Sequence, residues 1–309
     1  MIINPTAGLV NLGKSQDVFF QDALDNEKLV YDITFDNENY SLNYDYKPDS
    51  DCFYLASGKI SYPNRKSLFN DNFHYLQADH VAPATSYKKV DLSLCNLNLL
   101  GNMGENSASY LVDPEKMDKV NVIEQLKYGK EPDSISNELN FWMGEITPGV
   151  RISANIISSD LVTVNYDFLT ADKLYTKKYS PLNVGFGLSY VLPLVLTILI
   201  SKPGDILLIE NPESHLHPQG QAKLGELLAK AASAGIQIFC ETHSDHIING
   251  ARLAVHDKKL SENDIKVFYF EKSGMETYVQ TINIDETGEL DNYPPGLLDE
   301  WGNILAKLF

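Results

Sequence analysis

Asp205-Ile206-Leu207-Leu208-Ile209-Glu210-Asn211-Pro212-Glu213-Ser214-His215-Leu216-His217-Pro218 is the stretch whose reading decides the fold. The apolar run from Ile206 to Ile209 predicts a short strand buried on both faces, ending at the carboxylate of Glu210. Pro218 then suits the first turn of a helix, in which Leu224, Leu227, Leu228 and Ala231 share one face. A second buried strand is expected over Ile236–Cys240. Apolar strands alternating with amphipathic helices predict an α/β fold, a parallel sheet flanked by helices. Upstream, Leu188 to Ile200 is the longest apolar run in the chain. It is too short to span a membrane and contains Pro193, so it reads as a buried helix starting near Gly187.

The rest of the chain has a different grammar. Tyr31, Ile33 and Phe35 alternate with polar residues, Asp36-Asn37-Glu38-Asn39 supplies a turn, and Tyr40, Leu42, Tyr44 and Tyr46 alternate beyond it. An antiparallel hairpin follows from that pattern, with a third strand near Cys52–Ala56. Residues 114–149 read as mainly helical, and strands are expected over Arg151–Ile157, Leu161–Phe168 and Leu174–Tyr179. The tail reads as a hairpin, Ile265–Glu271 and Glu276–Ile284, then an amphipathic helix carrying Leu297, Leu298, Trp301, Ile304, Leu305 and Leu308. The expected divisions are a β-rich part at 1–110, a helical insertion at 111–150, the α/β lobe at 151–262 and a C-terminal domain at 263–309.

With 43% hydrophobic residues and 22% charged ones, the 309-residue chain has an ordinary globular composition. Its net charge of −17 repels phosphate backbones, and no Lys/Arg cluster offsets that, so nucleic-acid binding is not supported by charge. Three widely spaced cysteines, Cys52, Cys95 and Cys240, argue against a disulfide framework and fit a reducing, cytoplasmic location. The N-terminus lacks the features of a signal peptide, and no membrane partner is expected.

Three segments carry candidate chemistry. Asn183-Val184-Gly185-Phe186-Gly187-Leu188-Ser189 precedes the apolar helix. Glycines at a helix entrance let backbone N–H groups approach an anion, and Ser189 could donate to a phosphate oxygen; the alternative is a plain cap with glycines for packing. In the second segment, Glu210 at a strand end suits Mg²⁺, while Glu213 could orient or deprotonate a water. A buried strand with a solvated acidic loop is the other reading. The third, Glu241-Thr242-His243-Ser244-Asp245-His246, follows the next strand, where His243 could hydrogen-bond a terminal phosphate or be a loop histidine without a ligand.

Taken together, "NVGFGLS", "ILLIENPESHLHPQGQ" and "ETHSDHIINGAR" resemble the signature, Walker B and switch-histidine segments of the RecF/SMC/OLD-like, ABC-class ATPases. More narrowly they resemble bacterial AAA-family ATPases that end in a short domain of unknown function, which the closing "VFYFEK…TINIDETGELDNYPPGLLDEW" is similar to. "HYLQADHVAP" and "LLGNMGENSASYL" resemble further stretches of that group, with His80 where the group has arginine. The resemblance implies ATP and Mg²⁺ as cofactors. Glu210 would be the Mg²⁺-holding Walker B acid and His243 the sensor of the γ-phosphate; Asn183, Gly185, Gly187 and Ser189 would close on ATP bound by an opposite head. Asn211 stands where many ABC proteins place the catalytic glutamate, which leaves Glu213 as the other candidate for the water-positioning role.

One part is out of place. Gly8-Leu9-Val10-Asn11-Leu12-Gly13-Lys14-Ser15 matches the phosphate-loop pattern GxxxxGKS, but Pro5 interrupts the short Met1–Ile3 run that would have to be its strand. "INPTAGLVNLGKSQDVF" instead resembles a stretch that lies downstream of the family's true phosphate loop, which would make the GKS a coincidence. The leading expectation is an ATP-hydrolysing head that works as a homodimeric, nucleotide-gated switch on an effector protein, of the kind used in DNA repair or phage defence. The alternative is a split or pseudo-ATPase whose phosphate loop comes from a partner chain. A third is a metal-dependent hydrolase using His215, His217 and nearby carboxylates.

Overall fold

A computed structural model describes residues 2–3, 10, 12–24, 26–35, 37–47, 50, 52–59, 68, 70–95, 98–119, 121–127 and 134–308. The chain divides into two compact units, residues 1–70 and 71–309.

In the first unit, β1 (Ile2–Ile3), α1 (Ser15–Val18), β2 (Lys28–Phe35), β3 (Glu38–Asp45) and β4 (Phe53–Ser57) follow in order. Their sheet runs β1-β4-β3-β2, antiparallel at every pairing. Asn37, in the left-handed region at φ 69°, turns the β2–β3 hairpin, a conformation asparagine tolerates. Leu42, Tyr44 and Phe53 form its buried centre, with Phe19 stacked on Tyr46 at 4.4 Å. The hairpin and the third strand lie where alternation placed them.

The second unit contains β5 (Phe73–Leu76), β6 (Tyr87–Lys88), α2 (Ser107–Leu111), α3 (Pro114–Lys119), α4 (Ile135–Ile146), β7 (Val150–Ile156) and β8 (Leu161–Phe168). After them come α5 (Phe186–Ile200), β9 (Ile206–Glu210), α6 (Pro218–Ser233), β10 (Gln237–Glu241), α7 (Asp245–His256), β11 (Val267–Ser273), β12 (Glu276–Ile282) and α8 (Glu300–Leu308). The parallel sheet has the order β10-β9-β5, and β6-β8-β7 is an antiparallel one. Every α5 residue from Gly187 to Ile200 is buried, as a helix apolar on all sides must be. Its side chains share one core with α4, β7, β8, β9 and α6. α6 and α7 cross at Gly225 and Gly250, where a Cβ on either would meet backbone oxygen of the other helix at 2.3 and 2.2 Å. Close crossing brings the start of α7 beside the loop that leads into α6.

Three expectations need correction, and one strand, β5, has no local sequence signal. β10 was expected to be buried, but it is an edge strand of the described sheet, with Phe239 half exposed. Leu174–Tyr179 forms bridges at Tyr175 and Tyr179 but no strand, because Lys173 at φ 60° turns the chain and leaves Leu174 in solvent. The last helix begins at Glu300; Leu297 precedes it and is buried against Ile282, Ile284 and Leu290 instead. Among the described residues no helix is long and apolar enough to cross a membrane.

Candidate nucleotide site

Parallel strand C-termini open onto ligand crevices, and the β9 and β10 C-termini lie side by side. Glu210 and Glu241 are register partners, so the two carboxylates leave the sheet on the same face. Glu210 is held by residues that sequence reasoning missed. The Tyr75 phenol donates to its Oε1 at 2.9 Å and the Ala78 backbone N–H to its Oε2 at 3.0 Å. Burial, then the Glu210 carboxylate beside it, pushes the Tyr75 phenol well above its ordinary value, so it stays a donor at all working pH. Both contacts come from β5 and the turn after it. β5 pairs with β9 across about 130 residues, a contact that no local periodicity announces.

After β9 the backbone turns sharply. Asn211 adopts φ 45° and its N–H donates to the Glu241 carbonyl at 3.0 Å, tying the two strand ends together. Ser214 N–H to Asn211 O and Leu216 N–H to Glu213 O make two overlapping turns, with His215 at φ 61°. His217 caps α6 by accepting from Gln219 N–H, and Pro218 takes the first helical position.

Glu213 bridges this loop to the third segment. Its Oε2 accepts from the Thr242 hydroxyl at 2.6 Å and its Oε1 from the His243 N–H at 2.8 Å. Ser244 caps α7, accepting from the N–H groups of His246 and Ile247, and donates to Gln221 Oε1 of α6 at 2.6 Å. The His243 imidazole is 80% exposed, with Nε2 3.0 Å from Glu241 Oε1. Glu210, Asn211, Glu213 and His243 therefore sit at one end of one sheet. Glu241 and Thr242, to which the sequence pattern assigns no separate role, join them.

The entrance of α5 completes the arrangement. Gly187 lies so close to the loop after β9 that a Cβ there would sit 2.4 Å from the His215 carbonyl. The Phe186 ring contacts the His215 ring at 4.6 Å between centroids. Asn183 and Gly185 are exposed, and nothing lies within 4 Å of a Cβ at Gly185. Ser189 is not on that surface: it is buried one turn into the helix, its hydroxyl facing the phenols of Tyr87 and Tyr166. A cavity of about 370 Å³ lies between the two segments, lined by Gly185, Gly187, His215, His217, Phe168 and Pro148 among others.

The donor set suits Mg²⁺ carried in with a nucleotide. Mg²⁺ is held by one or two carboxylates plus substrate phosphates, and here one anchored carboxylate stands at a strand terminus beside a second. Among the described residues no three His, Cys, Asp or Glu side chains are grouped to hold a metal by themselves. His217 is committed to capping α6 and His215 packs against Phe186 and Tyr190, so the hydrolase reading finds no ligand cage.

The phosphate-loop pattern is only partly described, since Gly8, Leu9 and Asn11 lie outside the described residues. In the remainder, Lys14 N–H donates to Asp17 Oδ2 at 2.8 Å and the buried Ser15 hydroxyl donates to the Ser50 carbonyl. The helix that follows has only four residues, and β1 pairs antiparallel with β4 rather than in the parallel sheet.

Residues 56–249 match the family described as "AAA domain, putative AbiEii toxin, Type IV TA system". The chain belongs to that AAA-domain family. The match covers β5, α5, β9, the loop after β9, β10 and the start of α7, and hence every residue of the site just described. Residues 260–308 of this AAA-family chain match a second model, "Protein of unknown function (DUF3696)". Solved structures that resemble the AAA-family chain are heads of SMC ATPases. One is an SMC head bound to the C-terminal winged-helix domain of ScpA, at 11% identity and TM-score 0.44, covering 82% of this chain and 70% of that one. Another is the SMC head of Thermotoga maritima, at 11% identity and TM-score 0.37, covering 83% and 73%. A third is an Smc head with coiled coil and joint from Pyrococcus yayanosii, at 12% identity and TM-score 0.36, covering 56% of this chain and only 29% of that chain. No curated protein matches the chain.

Proposed function

We propose that this AAA-family chain is a head-type domain that binds and hydrolyses ATP and works as a nucleotide-gated switch between two heads. The observation that supports this most is the register pair Glu210–Glu241 with Glu213 bridging to Thr242 and His243. It draws two separate sequence segments to one end of a parallel sheet. Mg²⁺ bound with the nucleotide would neutralise charge on its phosphate oxygens. Glu210, fixed by Tyr75 and Ala78, is the carboxylate that would hold that ion. Glu213, with Asn211 beside it, would orient water. The His243 imidazole, exposed and paired with Glu241, is free to turn toward a terminal phosphate. Exposed Asn183 and Gly185 offer the α5 entrance to the nucleotide of a second head. The reading predicts that Glu210→Gln lowers the Mg²⁺-dependent ATPase rate about tenfold or more with the melting temperature little changed; an unchanged rate refutes it.

A second reading, a split or pseudo-ATPase whose phosphate loop is supplied by a partner chain, is favoured by two observations. In the described part of the GKS segment, the Lys14 N–H is given to Asp17 and the Ser15 hydroxyl to Ser50. Parallel sheets are normally covered on both faces, yet Phe239 of β10 is half exposed. Tight Mg²⁺-dependent binding of a fluorescent ATP analogue by the isolated chain would eliminate the split form.

A further inference from the structure

Tyr190 lies one turn inside α5 and touches no residue so far given a part in the chemistry except through backbone. Its hydroxyl donates to the Ala78 carbonyl at 2.6 Å and lies 3.3 Å from the Asn211 carbonyl. Its own carbonyl is 2.6 Å from His80 Nδ1, and its ring stacks on the His80 imidazole at 4.0 Å between centroids and 17° between planes. The opposite contact is edge-on to His215 at 5.5 Å. One side chain thus gathers the turn after β5 and the loop after β9 against the entrance of α5. Burial keeps its phenol protonated, so it remains a donor.

The turn after β5 is the one that holds the metal-side carboxylate. Ala78 gives its N–H to Glu210 Oε2 while its carbonyl is held by Tyr190. A residue gripped on both sides has little freedom to rotate its peptide planes away, which is how a hydrogen bond one step removed orients a ligand. His80 backs the clamp: it is 7% exposed and joins Tyr190 by both ring stacking and the bond to its carbonyl.

We propose that Tyr190, backed by His80, is a positioning residue: it fixes the orientation of Glu210 through Ala78 and so ties the α5 entrance to the metal-holding carboxylate. The inference rests on the head-type ATPase reading and adds a named connection between the two surfaces that reading assigns. Such a connection gives a physical route by which contact at the α5 entrance would alter how Glu210 meets Mg²⁺.

The test uses the full chain with three proteins: wild type, Tyr190→Phe and His80→Phe. Tyr190→Phe keeps the ring and loses the hydroxyl that holds Ala78, with its weaker contacts to Asn211 and Ser214; His80→Phe keeps a ring in the stack and loses the imidazole's bonds to the Tyr190 and Gln77 backbone. Mg²⁺ is titrated at saturating fluorescent ATP analogue, and melting curves are recorded alongside. Loss of one buried hydrogen bond to a positioned group predicts about a three- to tenfold rise in the Mg²⁺ concentration at half saturation for Tyr190→Phe. A smaller rise in the same direction is expected for His80→Phe, with nucleotide binding in EDTA unchanged for both. A merely structural role would lower the melting temperature without moving the Mg²⁺ midpoint, and that result overturns the proposal. If wild type itself shows no Mg²⁺-dependent nucleotide binding, the reading of this chain as a self-sufficient ATPase fails in favour of the split form, and the inference fails with it. A normal wild-type midpoint matched by Tyr190→Phe sinks the inference alone.

Discussion

Gly187→Ala is the substitution that most directly tests whether the entrance of α5 is docked on the loop after β9. A methyl at position 187 would stand 2.4 Å from the His215 carbonyl oxygen, 3.1 Å from its carbon and 3.3 Å from Leu216 Cδ2. Ordinary carbon–oxygen contact begins near 3.4 Å, so helix and loop must separate by about 1 Å, and the nearest atoms are backbone that cannot rotate aside. Overpacking of this kind costs about 1–3 kcal/mol, while replacing glycine by alanine in a helix returns at most about 1 kcal/mol. The net expectation is about 1–2 kcal/mol of destabilisation, or about 3–6 °C off the melting temperature for a unit of this size. Gly185→Ala is the control, because its Cβ would meet nothing within 4 Å and its φ of −60° suits alanine. That variant should melt within about 2 °C of wild type, since only the preference for glycine over alanine at a cap is lost. Paired thermal melts followed by circular dichroism, with urea titrations, decide the matter. A Gly187→Ala protein as stable as wild type would mean that α5 and the loop after β9 are not in contact.

Two further predictions concern titration. Burial holds the His80 imidazole below the ordinary histidine value of 6.5, against smaller opposing effects of its hydrogen bonds. The unfolded chain therefore takes up a proton that the folded chain refuses, and His80 subtracts stability as pH falls below about 6.5. His80→Phe should flatten the loss of melting temperature between pH 7.5 and 5.5, and an unaltered slope refutes the assignment. Burial, with the Glu213 and Glu241 carboxylates nearby, pushes the Cys240 thiol up from 9.0 to about 12. Its thiolate fraction at pH 8 is about a thousandfold below that of a free thiol, so native Cys240 should resist iodoacetamide until the chain is unfolded. Mass-spectrometric mapping of rapid native labelling at Cys240 would contradict the packing around β10.

The strand-to-carboxylate grammar of Ile206–Glu210 and the polar turn after Cys240 were legible because each is a local pattern of few residues. Their adjacency was legible too, since a short βαβ unit ordinarily places consecutive parallel strands side by side. β5 was not, because Phe73–Leu76 is four residues long and its partner lies far along the chain. With it went Tyr75 and Ala78, whose value for Glu210 exists only once β5 pairs with β9. The misreading of β10 has the same origin: apolar residues say that a strand is packed, not whether it is central or at an edge. Ser189 is different, because the sequence did contain the answer. A helix with no polar face from Leu188 to Ile200 has no side to turn to solvent, so a small hydroxyl inside that run belongs to the core.

The wiring of the site explains why its parts resist separate assignment. Glu213 accepts one hydrogen bond on each carboxylate oxygen, from Thr242 and from the His243 backbone, and each oxygen keeps a lone pair for a further donor such as water. Both bonds tie the loop after β9 to the segment that carries His243. The loop that carries Glu213 is in turn pressed against Gly187 and reached by Tyr190 at Asn211. A continuous set of contacts therefore runs from the α5 entrance to Asn211 through Tyr190, to Glu213 through the loop, and to His243 through the brace. On the proposed reading, water positioning, phosphate sensing and contact with a second head would share this one set of hydrogen bonds, as a switch whose closure and chemistry occur together requires.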